Sequence, residues 1–335
     1  MRKKIMIITA ILILFALLSP TAKAQSQDNS LIIVNHQYML SRYYTPPQLV
    51  NLNSYIKTKR ANVRLRVDAA KALGQMAKSM AAVGISDIRA TNGYRDYNWQ
   101  SDLYHSKISY FRSLGYDYDK AVQLASAIVA QPGMSEHQTG LAVDLSTASL
   151  NNALDDPFAD TAAGQWIAAN CYKYGFIIRY PEDKIAITGY VYEPWHIRYV
   201  GQPHAEYISK NNLCLEEYQQ LLAKQKFLLY LAENGTLYAI YHSSGGFYQF
   251  AGQVVSKSQI GDGYSIITTV LTKSPHNYLA PFSLQGFLKR TKYDEPVQNS
   301  LYLPALIAAN HWYGQIPDDS IMLPLLNRAV KSHKE

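Results

Sequence analysis

The spacing of apolar positions changes period several times along the chain. From Arg64 to Val83 apolar residues recur at helical spacing through Leu65, Ala69, Ala72, Leu73, Met76 and Met80, which predicts an amphipathic helix. Lys120 to Ala130 and Thr161 to Tyr174 read as further helices, another begins near Tyr97, and Cys214 opens one more. Elsewhere the period drops to two. Leu141, Val143 and Leu145 alternate with Ala142 and Asp144, which predicts a half-buried strand with Asp144 on the face opposite the apolar side chains. His196-Ile197-Arg198-Tyr199-Val200 alternates in the same way, and further strands are expected around Ile88 and over Ile185 to Ile187. These elements predict an α+β fold, one antiparallel sheet with helices on one face. From Phe227 onward short apolar runs are separated by turn signals at Asn234-Gly235, Ser244-Gly245-Gly246 and Gly261-Asp262-Gly263, so several antiparallel strands are expected, with a late helix over Pro304 to Asn310.

The N-terminus has a different pattern. Arg2, Lys3 and Lys4 precede an apolar run from Ile5 to Leu18, followed by the small-x-small site Ala22-Lys23-Ala24. This predicts a secretory signal peptide over residues 1–24, cleaved after Ala24, with a retained anchor as the alternative, because the run is shorter than the roughly 20 residues a membrane span needs. No cysteine follows the run, which argues against a lipoprotein. The formal charge of +7 falls to about +3 once the four signal-segment cations leave, 28 basic against 25 acidic residues. That excess is too small and dispersed to suggest nucleic acid. Only Cys171 and Cys214 are present, and in an exported chain two cysteines more often bridge than not. Such a bridge would contribute about 4 kcal/mol on the chain-entropy estimate; two unpaired buried thiols are the alternative.

The candidate chemistry lies in two stretches, Ser135-Glu136-His137-Gln138-Thr139-Gly140-Leu141-Ala142-Val143-Asp144 and Glu193-Pro194-Trp195-His196. His137, Asp144 and His196 make a set of two imidazoles and a carboxylate, which leaves the fourth tetrahedral position of a zinc ion open. Glu193 supplies a second carboxylate that need not be a ligand, the layout of a metal-assisted hydrolase. Residues three apart on an extended chain point to opposite faces, so Glu193 and His196 converge only across a turn, for which Pro194 is suited. Glu136 is expected to point away. Arg179 and Arg198 read as structural partners of carboxylates, and Trp195 as packing that aims His196. The remaining histidines, His36, His105, His204, His242, His276, His311 and His333, read as structural or solvated.

The patterns S-x-H-x-x-G-x-A-x-D and E-P-W-H resemble the VanY-type zinc D-alanyl-D-alanine carboxypeptidases, whose wider group includes the D,D-dipeptidases and the hedgehog signalling domain. Gly93-Tyr94-Arg95 with Gln100, the segment Tyr174 to Pro181, and Thr188-Gly189-Tyr190 extend the resemblance over roughly residues 31–221. It implies one zinc on His137, Asp144 and His196, with Glu193 as the base that hands its proton to the leaving amine. Arg95 would stabilise the oxyanion, and Gln100 and Ser135 would contact the peptide end of the substrate. Asn92 departs from the family, which more often has Ser there; that departure is expected to touch the substrate pocket and not the metal.

The resemblance and the signal segment together imply an exported peptidase acting on peptidoglycan stem peptides, with cell-wall or membrane-surface association as a further expectation. It would release the terminal D-alanine. The alternatives are an L,D-carboxypeptidase, a D,D-dipeptidase or an endopeptidase of the same fold, and a non-enzymatic zinc-stabilised module, against which Glu193 and Arg95 speak. The expected division is a catalytic domain over 25–221 and a β-rich domain of unassigned role over 222–335. Tyr230, Tyr238, Tyr241, Tyr248, Tyr264 and Tyr278 could stack on sugars, although aromatic residues in strands ordinarily pack. The oligomeric state is left open.

Overall fold

The computed structural model describes residues 29–225, 227–243, 253–260 and 265–272. The signal segment, the turn signals at 244–246 and 261–263, Tyr248, Tyr264 and Tyr278, and the late helix at 304–310 lie outside them. The fold is the expected mixture of helices and antiparallel sheet, followed by a β-rich C-terminal region.

A two-stranded ribbon comes first, β1 (Leu49–Asn51) paired with β2 (Arg64–Arg66). That pairing explains why α1 spans Val67–Ala82 and does not begin at Arg64: the backbone of Arg64 to Arg66 is already bonded to β1. The apolar stripe of α1 buries Ala69, Leu73, Met76 and Met80 at successive helical turns. The central sheet contains β3 (Ile88–Asn92), β4 (Ala142–Thr147), β5 (Phe176–Ile178) and β6 (His196–Tyr199) in the antiparallel order β3-β4-β6-β5. Leu141, Val143 and Leu145 pack with Leu73, Met76 and Ile197 in the core under one face. Asp144 is thereby left on the other face.

Two helices follow β3. α2 (Tyr97–Ser113) is capped by Asp96, whose side chain accepts from Trp99 N at 2.8 Å, and α3 (Tyr118–Ser126) by Asp117, which accepts from Lys120 N at 2.8 Å. α3 ends four residues earlier than the apolar pattern to Ala130 predicts. α4 (Ala162–Asn170) continues into a 3₁₀ turn over Cys171–Tyr174. Ile185 to Ile187 corrects an expectation: it belongs to a short helix, α5 (Ile185–Thr188), ended by Gly189 in the left-handed region at φ 75°, and Phe176–Ile178 takes the strand position instead.

After α6 (His204–Lys210) and α7 (Leu215–Gln225) the chain forms β7 (Phe227–Leu231), β8 (Leu237–Ser243), β9 (Gln253–Gln259) and β10 (Ser265–Thr272). These make a second antiparallel sheet in the order β7-β8-β10-β9, and Asn234-Gly235 turns β7 into β8 as predicted. Among the described residues this sheet shares its core with the preceding elements. Leu228, Tyr230, Ile240, Ile260 and Ile266 join Leu31, Val200, Ile208, Tyr218 and Leu222 in one buried cluster. Tyr230 and Tyr241 are buried, and the Tyr230 hydroxyl donates to Glu206 at 2.6 Å, so both serve packing here.

The expected Cys171–Cys214 bridge is absent; both are free, buried thiols. Cys171 packs in the core of the central sheet, while Cys214 precedes α7 with its backbone N–H bonded to Glu217 at 2.9 Å. Burial pushes both thiols up to about 12. Among the described residues no helix is long and apolar enough to cross a membrane.

Candidate active site

Three adjacent strands place the polar row. Asn92 on β3, Asp144 on β4 and His196 on β6 are register partners, so their side chains lie side by side on the face away from the core. His137 arrives from the 3₁₀ turn Glu136–Thr139 that leads into β4. His137, Asp144 and His196 are all buried, and one donor atom from each lies within 4.8 Å of the others, a group able to hold a metal ion. His137 Nε2 is 3.3 Å and His196 Nδ1 3.0 Å from the two oxygens of Asp144.

The opposite nitrogens define what each imidazole offers. His137 Nδ1 donates to the Gly93 carbonyl at 2.8 Å, which leaves the Nε2 lone pair facing Asp144. His196 Nε2 faces Glu136 Oε2 at 3.7 Å, so its Nδ1 faces the site. The bond to Gly93 fixes the tautomer and ring plane of His137, whereas the Glu136 contact with His196 is electrostatic at this distance. Glu136, expected to point away, borders the cavity while its side chain extends into the core. Its carboxylate is fully buried and accepts from Arg179 Nε at 2.8 Å and Arg198 Nη1 at 2.7 Å. Arg179 also binds Glu216, and Arg198 donates to the carbonyls of Ser30 and Ile32. Burial pushes the Glu136 carboxyl up, yet the two guanidiniums outweigh it and hold it well below the usual carboxylate range. The sequence pattern contained no signal for this role, since its partners lie 43 and 62 residues away.

The turn at Pro194 brings Glu193 back: His196 N donates to the Glu193 carbonyl at 3.1 Å, and Glu193 Oε2 lies 3.6 Å from His196 Nδ1. Its side chain stays 20% exposed, outside the ligand group but open to the cavity. Burial pushes this carboxyl up to about 7; His196 and Arg95 pull it down, and Asp144 adds to the rise. Burial alone would lower His196, but its contacts with Asp144 and Glu136 raise it to about 9. That proton and a metal ion compete for the same lone pair. Burial pushes Asp144 up, and His137 and His196 more than reverse this, leaving a carboxylate.

A cavity of about 290 Å³ opens above this row. Arg95, Ser135 and Glu193 line it together with Asn92, Tyr180, Tyr190 and Trp195, and Leu103, Ile128, Val129 and Leu154 form an apolar wall. Gln100 is not on the wall: it is buried one layer back, and its Nε2 donates at 2.6 Å to the carbonyl of Ala130, which does line the cavity. Asn92 is a correction. It was expected to touch only the substrate pocket, but its Nδ2 donates to Asp144 Oδ2 at 2.8 Å. The rings of His36, Tyr190, Tyr180 and His196 form a column with successive centroids 4.6, 4.6 and 4.9 Å apart, which buttresses His196 from the side. His36, read as structural or solvated, is exposed and stacks on Tyr190 at the end of this column. Trp195 packs against the core beside His196.

An imidazole and a carboxylate on an antiparallel sheet, a second imidazole from the adjoining turn, and a free carboxylate and a guanidinium beside them define the class: a metal-dependent hydrolase. The family model described as VanY, D-alanyl-D-alanine carboxypeptidase, matches residues 62–202. The Bacillus subtilis protein YodJ is 41% identical over 202 residues, covering 60% of this chain and 70% of YodJ. The bifunctional D-Ala-D-Ala dipeptidase and D-Ala-D-Ala carboxypeptidase VanXYC of Enterococcus gallinarum is 38% identical over 202 residues, 58% of this chain and 96% of that protein. A solved structure of the LD-carboxypeptidase LdcB is similar with a TM-score of 0.52 and 41% identity, over 57% of this chain and 86% of that one. The chain belongs to the VanY D-alanyl-D-alanine carboxypeptidase family, and it is an enzyme.

Proposed function

We propose that this enzyme is exported and removes the C-terminal D-alanine from peptidoglycan stem peptides, with one zinc ion held by His137, Asp144 and His196. The donor set fits zinc: two imidazole nitrogens, that of His137 backed by a hydrogen bond to the Gly93 carbonyl and that of His196 facing a buried carboxylate at 3.7 Å, and one carboxylate. When bound, the metal supplies a Lewis acid and lowers the pKa of a coordinated water to about 7. The observation that carries the reading is Glu193, a carboxylate 3.6 Å from a ligand nitrogen yet outside the ligand group.

The residues divide the work. Glu193, with its carboxyl raised to about 7, takes a proton from the attacking water and returns it to the leaving amine. Arg95, on the cavity wall, meets the negative charge that develops on the scissile carbonyl oxygen. Ser135 stands at the wall where the peptide end would bind, and Gln100 acts behind it by holding the Ala130 carbonyl. The apolar wall of Leu103, Ile128 and Val129 suits a small aliphatic side chain. The signal-like N-terminus supports export, where the enzyme would work among wall polymers.

An L,D-carboxypeptidase activity is the second reading, favoured by the likeness to LdcB. Incubating the zinc-loaded enzyme with muropeptides ending in pentapeptide or tetrapeptide and weighing the products separates the two: loss of D-alanine from pentapeptide alone supports the first, loss from tetrapeptide the second. Glu193→Gln should keep zinc and fold while losing most turnover, whereas His196→Ala should lose zinc and turnover together. Full hydrolysis after exhaustive chelation, or wild-type rates in zinc-replete Glu193→Gln, would defeat the mechanism.

A further inference from the structure

The Asn92 carboxamide is engaged at both ends. Nδ2 donates to Asp144 Oδ2 at 2.8 Å, and Oδ1 accepts from Arg60 Nη2 at 3.0 Å. The Arg60 guanidinium lies over the ring of Trp99, 4.6 Å from its centroid, and both residues are exposed. A guanidinium carries only donors and an ionised carboxylate only acceptors. With Arg60 in place, a single orientation of the amide therefore makes both bonds; turned over, it would set donor against donor and acceptor against acceptor.

We infer that Arg60 and Asn92 are positioning residues of the metal site: Arg60, steadied on Trp99, fixes the Asn92 amide with its NH₂ toward Asp144, and that bond sets the plane of the Asp144 carboxylate beside His137 and His196. The inference rests on Asp144 being a zinc ligand, as proposed above. Asp144 has its oxygens near both imidazoles, so rotation about its Cβ–Cγ bond would disturb both at once. Asn92 takes one of those oxygens from the side opposite His196, along the same cross-strand row. Partners of this kind typically change metal affinity 10–100-fold when removed.

The sign of the Arg60 effect separates this role from simple electrostatics. A cation near a dication repels it, so if Arg60 acted only through its charge, removing it would tighten zinc binding. Acting through Asn92, it should do the reverse. The test measures zinc dissociation constants of the full chain by competition with a chromophoric chelator, together with the visible spectrum of the cobalt(II) form as a readout of ligand geometry.

Asn92→Ala should weaken zinc on the order of 10–100-fold, and Arg60→Met should weaken it by a smaller factor, on the order of threefold to tenfold. Both should shift the cobalt bands. The double variant should bind no more weakly than Asn92→Ala alone. Unchanged or tighter zinc binding in Arg60→Met, or losses that multiply in full in the double variant, would overturn the inference. Arg60 is exposed, so its variant tests the idea even if Asn92→Ala fails to fold. Zinc retained by His196→Ala would instead defeat the ligand assignment itself.

Discussion

Glu136→Gln is the most demanding test of how the site is held. Four buried charges meet beneath His196: Glu136 and Glu216 against Arg179 and Arg198, two of each sign. The side chains of Glu136, Arg179 and Arg198 are fully enclosed. Removing one negative charge leaves a net cation there. Arg179 retains both oxygens of Glu216, at 2.8 and 2.6 Å, so the unpaired cation is Arg198, left with the neutral carbonyls of Ser30, Ile32 and Tyr199. Breaking a buried pair in this way costs about 3–5 kcal/mol. For a cooperative unit of this size that is a fall in melting temperature of about 6–20 °C. Urea titration of the metal-free protein, followed by circular dichroism, measures the loss without interference from metal binding. Glu136→Gln combined with Arg198→Met restores neutrality and should recover more than half of it. A Glu136→Gln protein within about 1 kcal/mol of wild type would show that the cluster is not desolvated as the structure has it, and the account of His196 being backed by a fixed carboxylate would fall with it.

Two further outcomes are expected. Arg95→Ala should lose about 2.7–4 kcal/mol of transition-state stabilisation in kcat/KM, and near-normal kinetics would remove Arg95 from the site. Burial pushes His204 down to about 3, between the Tyr218 hydroxyl at 2.7 Å and Thr268 on β10 at 3.2 Å. Its folded pKa lies below the unfolded value of about 6.5, so the unfolded chain takes the proton first: stability is full above pH 6.5 and falls toward pH 3, by up to about 1.4 kcal/mol per pH unit. Urea unfolding of wild type and His204→Gln between pH 7 and 4 should differ by that slope, and parallel profiles would refute it.

The group able to hold a metal ion was legible because its carriers are local. Alternation around Asp144 and His196 reports which face each occupies, and Pro194 announces the turn that returns Glu193. What could not be read depends on contacts distant along the chain. Ile185 to Ile187 alternates over only three residues, too few to tell a strand from the helical turn that Gly189 terminates. Arg64 to Arg66 fits the stripe of α1 but is claimed by pairing with β1. Glu136 has no local sign of its two arginines, and Asn92 no sign of Arg60. The shared core also has no sequence signature: Leu222 and Leu228 lie either side of the composition change yet pack in one cluster. The change of period at Phe227 marks a new sheet without marking an independent core.

The turn from Ser135 to Gly140 shows how so short a motif can carry so much. A 3₁₀ turn advances about 120° per residue, so three consecutive side chains leave it in three directions. Glu136 goes down to Arg179 and Arg198, His137 into the cavity, and the buried Gln138 toward the N-terminal segment, where its Nε2 donates to the carbonyls of Ser41 and Tyr44. Thr139, one full turn on, returns to bond the Glu136 carbonyl at 2.6 Å. Gly140 then adopts φ 69°, and a Cβ there would come within 3.0 Å of Leu49 and 3.2 Å of Pro46 on the strand approach, so glycine serves both the backbone angle and the close packing. An α-helical turn would rotate each residue by only 100° and leave Thr139 about 60° short of Glu136. The tighter turn is what lets one stretch of chain deliver His137 to the candidate metal site, seat a carboxylate behind the other histidine, and tie both to the N-terminal segment. The carboxylate that faces His196 at 3.7 Å is therefore carried by the residue adjacent to His137, and one short turn serves both imidazoles although they lie 59 positions apart in sequence.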